Sequence, residues 1–118
     1  VIDAANVIGS RPTGWWRDRP GAARDFTQRM RVAVANGQVD APVIIVLEGR
    51  SREGADEAVV DGVEVAHAPG VGDDTIAALA RRHRGAVVVT ADRELAARVR
   101  AAGAEVVGPS WLLDRLSP

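Results

Sequence analysis

Short β-branched runs alternate with helical stretches along the whole chain. Val43-Ile44-Ile45-Val46-Leu47 and Val87-Val88-Val89 are continuous apolar runs, the pattern of strands covered by helices on both faces. The pattern predicts strands at 1–3, 42–48, 63–68, 85–90 and 104–107, with the second and fourth central. Phe26, Met30 and Val34 recur every four residues, which predicts a helix over 22–35 that Gly37 ends. A second helix opens at Asp73-Asp74 with Ile76, Leu79 and Ala80 inward. A third opens near Asp92 with Leu95, Val99 and Ala102 inward and stops at Gly103. Pro109 opens a short last helix carrying Leu112, Leu113 and Leu116. Residues 49–61 are polar and glycine-containing, and fit a short helix or a mobile loop. Strands alternating with helices make βαβ units, so the expectation is an α/β fold on a mostly parallel five-stranded sheet.

With 118 residues, 47% of them apolar, the chain is long enough for one sizeable core, and a single domain over 1–118 is expected. Cysteine is absent, which excludes disulfides and thiolate metal sites and makes the cytoplasm the expected compartment. No apolar run approaches the ~20 residues of a membrane helix, and the first residues lack a secretory pattern, so no membrane association is expected. Val1 falls in what reads as the middle of a strand, so further residues are expected upstream. All 15 basic residues are Arg, a bias in keeping with a GC-rich genome. Without Lys, a P-loop nucleotide-binding site and a phosphorylated receiver domain are both excluded. The net charge of −1 argues against coating nucleic acid through a whole-molecule field, so any such contact is local.

The chemistry lies at the strand ends. In open α/β sheets, functional groups gather in the crevice beyond the carboxyl ends of the strands, and right-handed crossovers bring those ends to one side. Asp3 ends the first predicted strand, Glu48 ends the second, Asp73 and Asp74 follow the third, and Asp92 follows the fourth. Two like charges about 4 Å apart repel by about 1 kcal/mol in water and about 4 kcal/mol at an effective dielectric of 20. A divalent cation relieves that repulsion. Hard oxygen donors without thiolates suit Mg²⁺ or Mn²⁺, ions that assist phosphodiester hydrolysis. Singly, each acid has an ordinary explanation: Asp73 and Asp92 as helix caps, Asp74 as a dipole partner, Glu48 as a solvated loop residue. Asp3 beside Val1-Ile2 on a central strand is the hardest to explain without a partner.

Four blocks carry a resemblance. Asp3-Ala4-Ala5-Asn6-Val7-Ile8-Gly9 is similar to the opening D-x-x-N-V-I-G of the NYN group of PIN-like nucleases, and of its YacP-like branch in particular. Val46-Leu47-Glu48-Gly49 resembles that group's acid-ended second strand, although the branch more often has Asp where Glu48 stands. Gly70-Val71-Gly72-Asp73-Asp74 looks like its acidic pair before a helix, and Val89-Thr90-Ala91-Asp92 is similar to its T-x-D signature. The resemblance implies a three-layer α/β/α sandwich and a metal-dependent ribonuclease. It assigns metal binding to Asp3, Asp74 and Asp92, support to Asp73, and orientation of a carboxylate or water to Asn6. The segment after Gly9 is not part of the general pattern.

That segment concentrates Arg11, Arg17, Arg19, Arg24, Arg29 and Arg31 around Trp15 and Trp16. Arg pairs with phosphate and Trp stacks on unpaired bases, so Arg11, Arg17, Trp15 and Trp16 are candidate RNA contacts. Equally, the two Trp residues fit a staple at the helix entrance, with the Arg residues solvating its outer face. Arg50, Arg52 and Arg93 lie within five residues of proposed ligands and are candidates for holding substrate phosphate. His67 and His83 are isolated and receive no role. A haloacid-dehalogenase-type phosphatase would require an acid where Ala5 stands, and a Toprim-type nuclease an Asp-x-Asp pair that the chain lacks. The remaining alternatives are an inactive RNA-binding or scaffold module of the same fold and, more distantly, a nucleotide-hydrolysing enzyme.

Overall fold

The computed structural model describes residues 1–117. Six strands form one sheet: β1 (Ile2–Asp3), β2 (Val43–Leu47), β3 (Ala58–Val60), β4 (Val63–His67), β5 (Val87–Val89) and β6 (Glu105–Val107). Their order is β3-β4-β2-β1-β5-β6, with every pairing parallel except β3 to β4. The five expected strands are present, and β3 is the addition. Asp61 and Gly62 both take positive φ, 49° and 84°, and form the two-residue turn that folds β3 back antiparallel onto β4.

Alternate residues of β2 feed two cores. Val43, Ile45 and Leu47 pack with Phe26 and Met30 of α2 (Arg19–Ala35), Val7 of α1 (Ala4–Gly9), and Leu112 and Leu116 of α5 (Pro109–Leu116). Ile44 and Val46 pack on the opposite face with Ile76, Leu79 and Ala80 of α3 (Gly72–Arg82), and Leu95 and Val99 of α4 (Arg93–Ala101). The result is a three-layer α/β/α sandwich. The continuous apolar run of β2 follows directly, because all five of its residues are buried between two helical layers.

Three local features depart from the periodicity. α2 begins three residues before the expected start, because Asp18 caps it by accepting from the Gly21 amide at 2.9 Å and Pro20 is tolerated in the first turn. Helix α1 starts directly from β1, too short for a period to register. Residues 49–54 form a 3-10 turn that packs on the start of α2, where Gly54 lies against the Pro20 carbonyl with no room for a Cβ. No helix among the described residues is long and apolar enough to cross a membrane.

Candidate functional site

Chain order and sheet order diverge between β1 and β5, because the chain runs from β1 through β2 to β4 on one side and then crosses over to β5 on the other side of β1. Such a switch point opens a crevice beyond the strands' carboxyl ends. Asp3 stands in it, buried at 7% exposure. Its Oδ2 accepts from Thr90 Oγ1 at 3.0 Å, and its Oδ1 accepts from the Asn6 amide at 3.4 Å. The Thr90 hydroxyl also accepts from the Asp92 amide at 3.1 Å, while Asn6 Oδ1 accepts from the Ala91 amide at 2.8 Å. Asp3, Asn6, Thr90 and the 90–92 backbone therefore form one hydrogen-bonded unit spanning the switch point.

The other acids surround this unit. Burial pushes the Asp3 carboxyl above its usual range against the pull of the Thr90 and Asn6 bonds, and the nearby charges of Asp73 and Glu48 raise it further. Asp73 is likewise raised, first by desolvation and then by Asp92 and Glu48, with Arg98 acting in the opposite sense. Asp3, Glu48, Asp73 and Asp92 thus share one electrostatic neighbourhood.

The consecutive acids of α3 are divided by the helix. Asp73 is half-buried toward the other acids. Asp74 is exposed and accepts from Arg98 Nη1 of α4 at 3.1 Å. Neither is the cap: Val71 occupies that position without a side-chain bond, and the Gly72 amide donates instead to Glu48 Oε2 at 2.5 Å. Glu48 consequently ties the end of β2 to the start of α3, and a Cβ at Gly72 would come within 3.2 Å of that carboxylate oxygen. Asp92 does serve as a cap, accepting from the Leu95 amide at 3.0 Å. Capping engages one oxygen and leaves the other for further contacts.

The candidate substrate residues separate by environment. Trp15 is half-buried, its ring placed where a Cβ at Gly9 would meet it at 3.5 Å, and it meets Trp16 edge-on at 6.2 Å. Trp16 is 53% exposed, with the Arg17 guanidinium 5.8 Å from its ring centre. Arg11 and Arg93 are exposed, the latter as the first residue of α4. Arg50 pairs with Glu53 at 3.5 Å on the surface, and Arg52 donates to the carbonyls of Gly49 and Ala68. Sequence reasoning passed over Thr90 as a hydrogen-bonding residue and Arg98 altogether. The T-x-D block contained the first, whereas only the packing of α3 on α4 discloses the second.

Two measurements on the Trp pair follow. Trp16→Ala is expected to weaken single-stranded RNA binding by ~1–3 kcal/mol with little change in melting temperature. Trp15→Ala is expected to lower the melting temperature. The opposite pattern would make Trp16 the staple and remove it as a base platform.

An α/β/α sandwich with acids gathered at its switch point is compatible with a PIN-like fold, the fold of the family that the chain matches. The chain belongs to the YaiI/YqxD family (DUF188), described as uncharacterized, whose profile matches residues 23–111. That match includes Glu48, Asp73, Asp74 and Asp92 and stops short of Asp3 and Asn6. No curated protein and no solved structure matches the chain.

Proposed function

We propose that the protein is a divalent-metal-dependent ribonuclease, a hydrolase that cleaves RNA phosphodiester bonds in the crevice at β1 and β5. The observation that carries this reading is the buried Asp3 carboxylate, fixed by Thr90 and Asn6 where the charges of Asp73 and Glu48 already oppose its ionisation. An acid placed at such electrostatic cost, at the sheet's switch point, suits a site whose charge is completed by a cation.

The donor chemistry fits Mg²⁺ or Mn²⁺: every acid near Asp3 offers hard oxygen, and the chain has no thiolate. Among the described residues, no three acidic or imidazole side chains close on a single point as a finished cage. Asp3, Asp73 and Asp92 would hold the ion, with the remaining oxygen of Glu48 as a further donor. Such an ion supplies charge neutralisation on phosphate and a more acidic water. Thr90 and Asn6 hold the Asp3 carboxylate, Glu48 holds the start of α3 and so places Asp73, and Trp16 with Arg17 offers a face for an unpaired base. Assignment to the NYN group and its YacP-like branch rests on the Asp3 to Gly9 block together with Thr90-Ala91-Asp92.

Incubation of single-stranded and structured RNAs with the protein tests the reading. Cleavage is expected with Mg²⁺ or Mn²⁺ and none with chelator. Binding without cleavage under all of these conditions would favour a catalytically silent RNA-binding module of the same fold, the reading to which the absence of a closed cage belongs.

A further inference from the structure

Beside Glu48, an open pocket of about 490 Å³ lies at the carboxyl ends of β2 and β4, lined by Gly49, Arg50, Arg52, Glu53 and His67. Its volume falls within the range of small-molecule sites. Arg52 is held in place by two hydrogen bonds, from Nε to the Gly49 carbonyl at 3.0 Å and from Nη1 to the Ala68 carbonyl at 3.3 Å. A guanidinium has five N–H donors, so three remain on a side chain that is already fixed. Arg50 contributes a second guanidinium, engaged among the described residues only through its Nε by Glu53. His67 meets the Ala55 carbonyl through Nε2 at 2.7 Å. A carbonyl only accepts, so Nε2 donates to it, and a ring with its single proton there presents Nδ1 as an acceptor.

Two fork-shaped cationic donors beside an imidazole whose Nε2 is already engaged complement a group with a phosphate on one side and a hydroxyl on the other. We propose that this pocket binds a ribonucleotide: Arg50 and Arg52 take the phosphate, and His67 accepts from a ribose hydroxyl. Inorganic phosphate cannot reach the two Arg residues and the imidazole with separate groups as a nucleotide can, and deoxyribose lacks the 2′-hydroxyl by which proteins tell RNA from DNA. The pocket is one to two strand spacings from the Asp3 crevice, about 5–10 Å, the scale of a neighbouring nucleotide. In the context of the ribonuclease reading, on which its role in the reaction rests, the pocket holds the nucleotide adjacent to the one being cut and selects RNA. Glu53 is then a competitor for Arg50 that the phosphate displaces.

Binding of adenosine 5′-monophosphate, its 2′-deoxy form and inorganic phosphate, measured by calorimetry in the presence of chelator, tests the pocket apart from any cleavage. The ribonucleotide is expected to bind more tightly than both other probes. Arg50→Gln is expected to weaken its binding about tenfold, equivalent to about 1.4 kcal/mol. Glu53→Gln should tighten it, and His67→Phe should remove the preference for ribose. Both Arg50 and Glu53 are largely exposed, so their variants remain informative should the His67 variant fail to fold. Equal binding of the ribo and deoxy forms, no response to Arg50→Gln, or weaker binding by Glu53→Gln would overturn the proposal. A protein that binds the ribonucleotide but cuts no RNA would retain the pocket and lose the nuclease reading; the converse result would do the reverse.

Discussion

Asp3→Asn is expected to reduce metal-dependent RNA cleavage by more than the roughly 10–100-fold lost when a residue merely orients a ligand. Asn preserves the shape, and its one oxygen still caps α1 through the Asn6 amide, while the Thr90 hydroxyl, a donor to the carboxylate, turns to accept from the new NH2 group. The charge is what disappears. Asp92→Asn should behave similarly, since its bond to the Leu95 amide also survives the change. Thr90→Val provides the calibration: it removes the hydroxyl that holds Asp3 and leaves the charge in place, so its loss should fall inside that 10–100-fold range. Single-turnover cleavage at saturating Mn²⁺, with circular dichroism on each variant, makes the measurement. Full activity in Asp3→Asn, or losses that follow unfolding, would remove Asp3 from the chemistry.

The layers and the strand ends were legible because they follow from strong local signals. A five-residue apolar run admits few readings, and a parallel sheet gathers the ends of its strands whatever the loops do. Long-range geometry was less accessible. The sequence Asp73-Asp74 gives two equivalent acids, and only the placement of α3 against β2 and α4 turns one toward Asp3 and leaves the other with Arg98. Glu48 likewise reads as a ligand or a loop residue. Its bond to the Gly72 amide spans 24 positions, and the one sequence trace of it is a glycine where a side chain would crowd the carboxylate. The β3 hairpin was different in kind. Val59-Val60-Asp61-Gly62-Val63 contains an Asp-Gly turn between β-branched residues, a strong local signal, but the polar stretch before it drew the whole of 49–61 into one ambiguous segment.

The division of Asp73 from Asp74 sets the second large effect. Wild type with Mn²⁺ at about a hundred times its dissociation constant should gain ~2.7 kcal/mol by mass action, a rise on the order of 10 °C in melting temperature for a domain of this size. Asp74→Asn should keep most of that gain. What it loses is the surface pair with Arg98, and exposed pairs of this kind contribute at most about 1 kcal/mol. Asp73→Asn should gain far less from Mn²⁺, because it removes charge from among Asp3, Glu48 and Asp92. Without metal the sign reverses. The folded-state pKa values of Asp3 and Asp73 lie above the usual 3.8, so the native state holds more protons than the unfolded chain as pH rises from 3.8 toward those raised values. Stability therefore falls with rising pH across that window, and the penalty is complete once the pH has passed the raised values. Asp73→Asn in chelator should for that reason melt at or above the wild-type temperature and show a shallower decline with pH. Melting curves of the three proteins at pH 7, with chelator and then with Mn²⁺, decide the matter: equal metal shifts in Asp73→Asn and wild type would place the ion elsewhere, and a lost shift in Asp74→Asn would make the Arg98-paired acid the ligand.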